Sequence, residues 1–219
     1  MTRLRASLLF QFSLVCSLLI AAVLTRPNPV LAQGKAQKIS KNLVKKAEET
    51  VQEIEKTQKQ LDVTIKKYNE IFGKTKVKDR QKSFNQLNGE IKNTENRVKE
   101  VRKKSEDMQK EADKFFNEWS KGLNKIEDQQ LRGLSMTNLN DSRGAYGEII
   151  ESGLKAGTLY ESFLADLKNQ SSYFSLDMSD TAMENLQPNK DETNAKAKAL
   201  FGSINELTRA TKSYMTSLK

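Results

Sequence analysis

Side chains that commonly carry out chemistry are scarce in this chain. Its 219 residues include a single cysteine, Cys16, and no histidine. Histidine is the side chain that titrates unperturbed between pH 5 and 8 and is the commonest metal ligand. One cysteine can form neither an internal disulfide nor a thiolate zinc site. A glycine-rich phosphate loop is also missing from the sequence. We therefore predict that the protein is not an enzyme and binds no metal and no cofactor.

Carboxylates are plentiful, and one short stretch carries three of them. Asp177, Asp180 and Glu184 lie close enough in sequence to suggest a calcium-binding loop. The stretch lacks the alternating carboxylates and the central glycine of an EF-hand, so we do not expect a metal there. A catalytic carboxylate pair of the glycosidase type requires a cleft, and the narrow helical seam predicted below leaves little room for one. No small-molecule substrate is therefore expected.

The aromatic residues Phe115, Phe116 and Trp119 form a compact group. Such a group could line a ligand-binding box, but its heptad spacing favours packing in a core. An aromatic group of this size needs more cover than one partner helix provides. We therefore expect a third and a fourth helix to pack at that end.

Two stripes of apolar residues determine where these side chains lie. From Val44 to Phe72 the stripe residues follow one another at alternating steps of three and four. From Phe84 to Ile126 the same steps recur. A heptad pattern held this long predicts two long helices, and the polar residues between them predict an antiparallel helical hairpin over residues 36–130.

The loop of this hairpin is expected at residues 74–82, a basic stretch with one apolar residue. Gly73 would end the first helix as a left-handed C-cap. Ser83 would begin the second helix as the N-cap of a capping box, because a glutamine follows three residues later.

The second half of the chain supplies the further helices. We expect a helix over about residues 137–170, then a loop with a short helix at about 171–187, and a last helix that starts at Pro188. Asn189 would be the N-cap of this last helix, with an acidic residue three positions later.

Four glycines interrupt the first of these helices, and two of them, Gly153 and Gly157, share one face, which predicts close approach of a neighbouring helix. No stretch alternates apolar and polar residues long enough to predict a strand. The predicted fold class is all-α: an elongated antiparallel helical hairpin (coiled coil) packed at one end by further helices into a bundle. Residues 33–219 would form a single elongated helical domain, with C-terminal helices at 137–219.

The start of the chain has the features of an export signal. Arg3 and Arg5 precede an apolar run over residues 6–24, and small or aliphatic residues suit cleavage between Ala32 and Gln33. The run is close to the ~20 residues that span a bilayer. Residues 1–32 are therefore interpreted as a signal peptide or as an uncleaved N-terminal anchor. The protein would be exported, periplasmic or secreted, or anchored in the inner membrane if the run is not cleaved.

Positive charge is concentrated in the N-terminal part of the predicted domain. Residues 35–82 carry 14 Lys and Arg against 7 Asp and Glu, whereas residues 133–219 carry 9 against 11. Export and the lack of a DNA-reading motif argue against a nucleic-acid partner. The basic part would suit an anionic envelope surface. It could equally be a solvated face that aids solubility and steers acidic partners.

Two short motifs lie at the end of the second predicted helix and just after it: Phe115, Glu118, Trp119 and Leu131, Arg132, Ser135. With these motifs, residues 44–135 resemble the bacterial family catalogued as domain of unknown function 2959. The resemblance implies an exported, mostly helical protein, and it supplies no activity and no catalytic residues. The heptad spacing favours a packing role for the motif residues.

We therefore expect an exported coiled-coil protein with a structural, scaffolding or protein-interaction role in the cell envelope. It would act through self-association or through a protein partner. One alternative is a periplasmic holdase-type chaperone whose basic helical arms hold unfolded, acidic clients. Another is a protein that binds an anionic membrane surface.

Overall fold

The structure, a computed structural model, describes residues 35–218. In this part of the chain it contains five helices and no strand: α1 (Lys35–Phe72), α2 (Val77–Leu123), α3 (Gln129–Phe174), α4 (Asp180–Asn185) and α5 (Gln187–Ser217). The all-α prediction is confirmed. The expected signal segment and the cleavage position between Ala32 and Gln33 lie outside the described residues.

The four long helices form an up-and-down bundle. α1 packs most extensively on α2, and α3 packs most extensively on α5. The bundle is closed by smaller contacts of α1 with α5 and of α2 with α3. Consecutive helices are joined by short connections and so run antiparallel. The predicted hairpin of the first two helices is therefore present. With 47 residues, α2 is about 70 Å long.

Two apolar clusters fill the bundle, one towards each end. The cluster near the α1–α2 turn includes Tyr68, Leu87 and Phe163. The cluster at the opposite end includes Phe115 and Leu139. All four long helices contribute to both clusters. The further helices therefore cover the hairpin at both ends and not only at the aromatic end, because α3 and α5 carry apolar residues along most of their length.

Threonines form a buried column in the seam between α1 and α2. Thr50, Thr57 and Thr64 follow one another at heptad spacing, and each donates its hydroxyl to the carbonyl four residues earlier. Thr64 Oγ1 also lies 2.8 Å from Thr94 Oγ1 on α2. Because these hydroxyls are satisfied within the helices, the polar residues can lie in the seam without an unpaired group.

The start of α2 differs from the prediction. The helix begins at Val77 instead of Ser83, so the loop is only a short turn and Ser83 is buried inside the helix. Lys76 is the N-cap residue and makes no side-chain cap hydrogen bond. The predicted C-cap conformation of Gly73 is also wrong, because this glycine does not have a left-handed backbone.

A buried arginine holds this turn in place. Arg80 is 4% exposed, and its Nε donates to the carbonyl of Lys74 at 2.8 Å. One terminal nitrogen donates to the carbonyl of Met178 at 2.7 Å, and the other forms an ion pair with Asp180. The side chain thus joins the α1–α2 turn to the loop that follows α3. This tertiary interaction stabilises the first turn of α2 in place of a capping box.

The later helix starts also differ from those predicted. α3 begins at Gln129, where the Asp128 side chain accepts a hydrogen bond from the Leu131 backbone N–H at 2.9 Å. α5 begins at Gln187, so Asn189 lies inside the helix and is not its N-cap. An α-helix can start at these points because an N-cap aspartate accepts from one of its unpaired N–H groups, and a proline in the first turn has no N–H to leave unpaired.

The predicted close approach at two α3 glycines is not observed. A Cβ atom placed on Gly153 would lie 4.0 Å from its nearest neighbour, a Leu207 methyl. A Cβ atom on Gly157 would meet nothing within 4 Å. Packing within the bundle therefore does not explain why these helix positions are glycine.

Candidate functional site

Phe115 and Trp119, two of the three motif residues of α2, lie in the apolar cluster at the end of the bundle where α2 turns into α3, called the open end below. Phe115 and Trp119 are buried, and their ring centroids are 5.4 Å apart in an edge-on arrangement. Trp119 Nε1 donates to Ser135 Oγ at 3.1 Å. This bond joins the two motifs across the α2–α3 turn. The aromatic side chains fill the core and leave no open box for a ligand among them.

The remaining motif residues lie at the surface. Leu131 is 57% exposed, and Arg132 is also exposed. Glu118 is half-buried and forms an ion pair with Lys121 at 3.3 Å. The packing role favoured by the sequence therefore does not describe Leu131 and Arg132.

The exposure of these two residues follows from where the helices end. The hydroxyl of Tyr214, near the end of α5, lies 3.3 Å from that of Ser142 on α3. The first three turns of α3 therefore extend beyond the end of α5 and lack its cover.

Exposed apolar side chains are concentrated in α3. Nine large hydrophobic residues are exposed among the described residues, and six of them lie in this helix. They are Leu131, Leu134, Met136, Ile150, Leu154 and Tyr173. Met136, Ile150 and Leu154 lie at helical spacings and so share one face of α3. Because single exposed apolar residues are normal but several on one face indicate a contact surface, this face of α3 is the main candidate for a binding surface.

The tip at the α1–α2 turn carries both charge signs. Lys74, Lys76 and Lys78 are exposed there. Arg80 draws the acidic loop after α3 against this turn, and the acidic residues Asp177, Asp180 and Glu184 thus lie at the same end of the bundle. The basic stretch that would suit an anionic surface is therefore offset by acidic neighbours.

Ion pairs join every adjacent pair of long helices. They are Glu49–Lys104 at 3.0 Å, Glu55–Lys212 at 2.7 Å, Glu95–Lys168 at 2.7 Å and Lys155–Glu206 at 2.8 Å. Hydrogen bonds from Lys104 and Lys46 lower the pKa of Glu49 to about 2. This carboxylate therefore remains ionised at any pH near neutrality, where it is a weak base.

Buried tyrosines form a second group of titratable residues. Burial raises the pKa of Tyr160 and of Tyr214 to about 12, and burial also raises the pKa of Tyr68. Tyr68 donates to Gln170 Oε1, and Gln170 donates to the hydroxyl of Thr193 at 2.7 Å. These side chains link α1, α3 and α5 in the core. Because their hydroxyls stay protonated, they serve packing and register better than proton transfer.

The described part of the chain contains neither a metal-binding group of side chains nor a membrane-spanning helix. Between residues 35 and 218 no three Cys, Asp or Glu side chains are grouped so that they could hold a metal ion. The suggested calcium residues have other contacts, since Asp177 accepts from the Ser179 backbone at 2.8 Å and Asp180 pairs with Arg80. None of the described helices is apolar over a length that would cross a bilayer.

Comparison with known proteins gives a family but no function. Neither a curated protein nor a solved structure matches this chain. A family model described as "Protein of unknown function (DUF2959)" matches residues 34–218. The match extends far beyond residues 44–135 and covers all five helices. The chain therefore belongs to the DUF2959 family of proteins of unknown function.

Proposed function

We propose that this protein is a non-catalytic, exported scaffold of the cell envelope that works by binding other protein molecules. The single observation that carries the proposal is the concentration of exposed large apolar side chains on α3. Exposed apolar groups rimmed by polar residues are typical of protein-interaction surfaces.

The interior of the bundle supports the same proposal. Its buried side chains are mainly apolar. Thr64 bonds to a backbone carbonyl and Gln170 to a threonine hydroxyl. The buried hydroxyls of Tyr146 and Tyr160, by contrast, have no hydrogen-bond partner within the described residues. Enzymes usually position their reactive groups in a concave pocket with perturbed pKa values near the working pH. The perturbed groups of this bundle, Glu49 and the buried tyrosines, are shifted away from neutrality instead.

A site-specific cross-linking experiment in intact cells tests this proposal. A photo-reactive residue at Leu131 or Leu154, both exposed on α3, should give adducts with one recurrent protein. The matched control is an exposed residue on α1, Lys59, which should give none. Mass spectrometry of the recovered bait would also report its N-terminal residue and hence whether cleavage follows Ala32. Turnover of a substrate by the purified protein, abolished by changing one carboxylate, would overturn the proposal.

A further inference from the structure

A heptad pattern runs along α3 outside the core. It consists of two columns of residues seven apart: Gly133, Asn140, Gly147, Leu154 and Met136, Arg143, Ile150, Gly157. The large apolar members Met136, Ile150 and Leu154 are 47%, 38% and 69% exposed. Three of these eight positions are large and apolar and three are glycine, so the face resembles a coiled-coil seam with small residues in it. Its large apolar side chains are exposed among residues 35–218.

The glycines of this face have no role within the bundle. A Cβ atom added to Gly133, Gly147 or Gly157 would meet no atom within 4 Å. Glycine destabilises a helix relative to alanine, so each glycine weakens α3 without a packing benefit inside this chain. Small residues in a helix face allow a second helix to approach closely. The open space above these glycines is therefore suited to a helix from outside.

Charges of opposite sign lie in and beside the same face. Glu151 is exposed beside it and forms no ion pair within the described residues. Arg143 is a member of the face, about two turns nearer the α2–α3 turn. It donates to Ser120 Oγ at 3.0 Å, and its guanidinium lies 5.7 Å from the Phe116 ring centroid. Arg143 likewise has no carboxylate partner within residues 35–218. A partner molecule could supply an opposite charge to each of these groups.

We propose that this face of α3 pairs, antiparallel, with the same face of α3 from a second copy of the chain. The two-fold axis would pass near Ala145, so residues equally far before and after this position oppose each other. Met136 then packs on Leu154 of the second copy, and Gly133 lies opposite Gly157. A two-fold contact requires a self-complementary surface, and this heptad pattern satisfies that requirement.

The same alignment brings the unpaired charges together. Arg143 lies opposite Gly147 of the second copy, near Glu151 of that copy. Because the axis repeats every contact, two arginines and two glutamates take part. Such complementarity fixes the register and the antiparallel direction more than it adds affinity. The inference deepens the proposed function, on which it rests, by identifying the partner of this surface as another molecule of the same protein.

Sedimentation velocity of the purified protein from roughly 1 to 100 µM tests the pairing. The wild type should sediment as a dimer in this range. Gly147→Leu should fold with equal helicity, since its Cβ meets open space, yet sediment as a monomer with a Kd raised at least about tenfold. The matched control is Gly89→Leu on α2, where a Cβ also meets nothing within 4 Å. This control should remain dimeric, because Gly89 lies on another helix.

Charge reversal gives a second, independent readout. Arg143→Glu alone, or Glu151→Arg alone, should weaken the dimer at least about tenfold because like charges then meet. The double variant should restore dimerisation. The inference is overturned if the wild type is a monomer at the highest concentration, or if Gly147→Leu leaves the Kd of the dimer unchanged. If a monomeric wild type still gives recurrent cross-links from Leu154 to another protein, the proposed function stands while this inference fails. If the protein is a dimer but turns over a substrate, this inference stands while the proposed function fails.

Discussion

α2 and α3 have nearly the same length, 47 and 46 residues, but they use their apolar residues differently. α2 exposes one large hydrophobic residue, Val77, and its heptad stripe faces the core. α3 exposes six such residues, and five glycines lie along it. The difference teaches that the two helices divide the work of the bundle. α2 contributes mainly to stability, whereas α3 divides its residues between the core and the surface.

The largest expected effect separates the two helices directly. Trp119→Ala in α2 should lower the free energy of unfolding by about 3–5 kcal/mol, because a large buried ring and its bond to Ser135 are lost. Leu154→Ala in α3 should change it by about 0.5 kcal/mol or less, because this side chain is exposed. Urea denaturation of the two variants measures both values. Equal losses of unfolding free energy in the two variants would contradict the difference between a core position of α2 and a surface position of α3.

A smaller effect is expected where the core holds α1 and α3 together. Tyr68→Phe removes the donor to Gln170 Oε1 and leaves that buried oxygen unpaired, which should cost about 1–3 kcal/mol. Tyr173→Phe, at an exposed position of α3, is the matched control and should cost about 0.5 kcal/mol or less. Urea denaturation again gives both values. If Tyr68→Phe is as stable as the control, the hydroxyl does not contribute to the core.

The smallest effect concerns pH and the α1–α2 seam. The folded pKa of Glu49 lies at about 2, below its ordinary value of 4.5, because of hydrogen bonds from Lys104 and Lys46. A carboxylate with a lowered folded pKa stabilises the folded state above its unfolded pKa, and this stabilisation is lost as the pH falls from about 4.5 to 2. The contribution should be about 1 kcal/mol or less, because the pair is accessible to water.

Denaturation measured between pH 7 and pH 2, a range that brackets the titration of Glu49, checks this prediction. Glu49→Gln and Lys104→Met should each reduce the acid-dependent loss of stability. Their double variant should reduce it little further, because both remove the same interaction. Fully additive effects would show that the two side chains do not act as a pair.

The regular parts of the fold follow from sequence periodicity. Apolar residues at heptad spacing predict α1 and α2, and most of the predicted stripe in α2 is buried. The threonine column at Thr50, Thr57 and Thr64 was not predicted, because a search for apolar periodicity passes over polar residues. Their common spacing of seven was the available signal, since threonine can bond to its own helix and present its methyl group to the seam.

Tertiary contacts set the helix starts, and local patterns could not show all of them. The Arg80 acceptor at Met178 lies 98 residues away in sequence, so nothing near residues 74–82 indicates that a helix begins at Val77. α3 begins at Gln129, before the predicted start near residue 137, and the Asp128 side chain caps it there.

The candidate binding surface was even less accessible to sequence reasoning. Leu154 and Leu167 are the same residue type in one helix, yet the first is exposed and the second is 1% exposed. They differ because the rotation of α3 about its own axis, set by its packing on α2 and α5, turns Leu154 outward and Leu167 inward. The bond between Trp119 and Ser135 depends on the same rotation. The sequence could therefore indicate which residues form motifs but not which of them face water.

The guanidinium of Arg80 has a consequence for biosynthesis. Its partners at Met178 and Asp180 are synthesised long after α1 and α2 are complete. Until they arrive, the Arg80 guanidinium lacks two of its three contacts and stays hydrated. The packing seen at this end of the hairpin can therefore be completed only when the last fifth of the chain is being made.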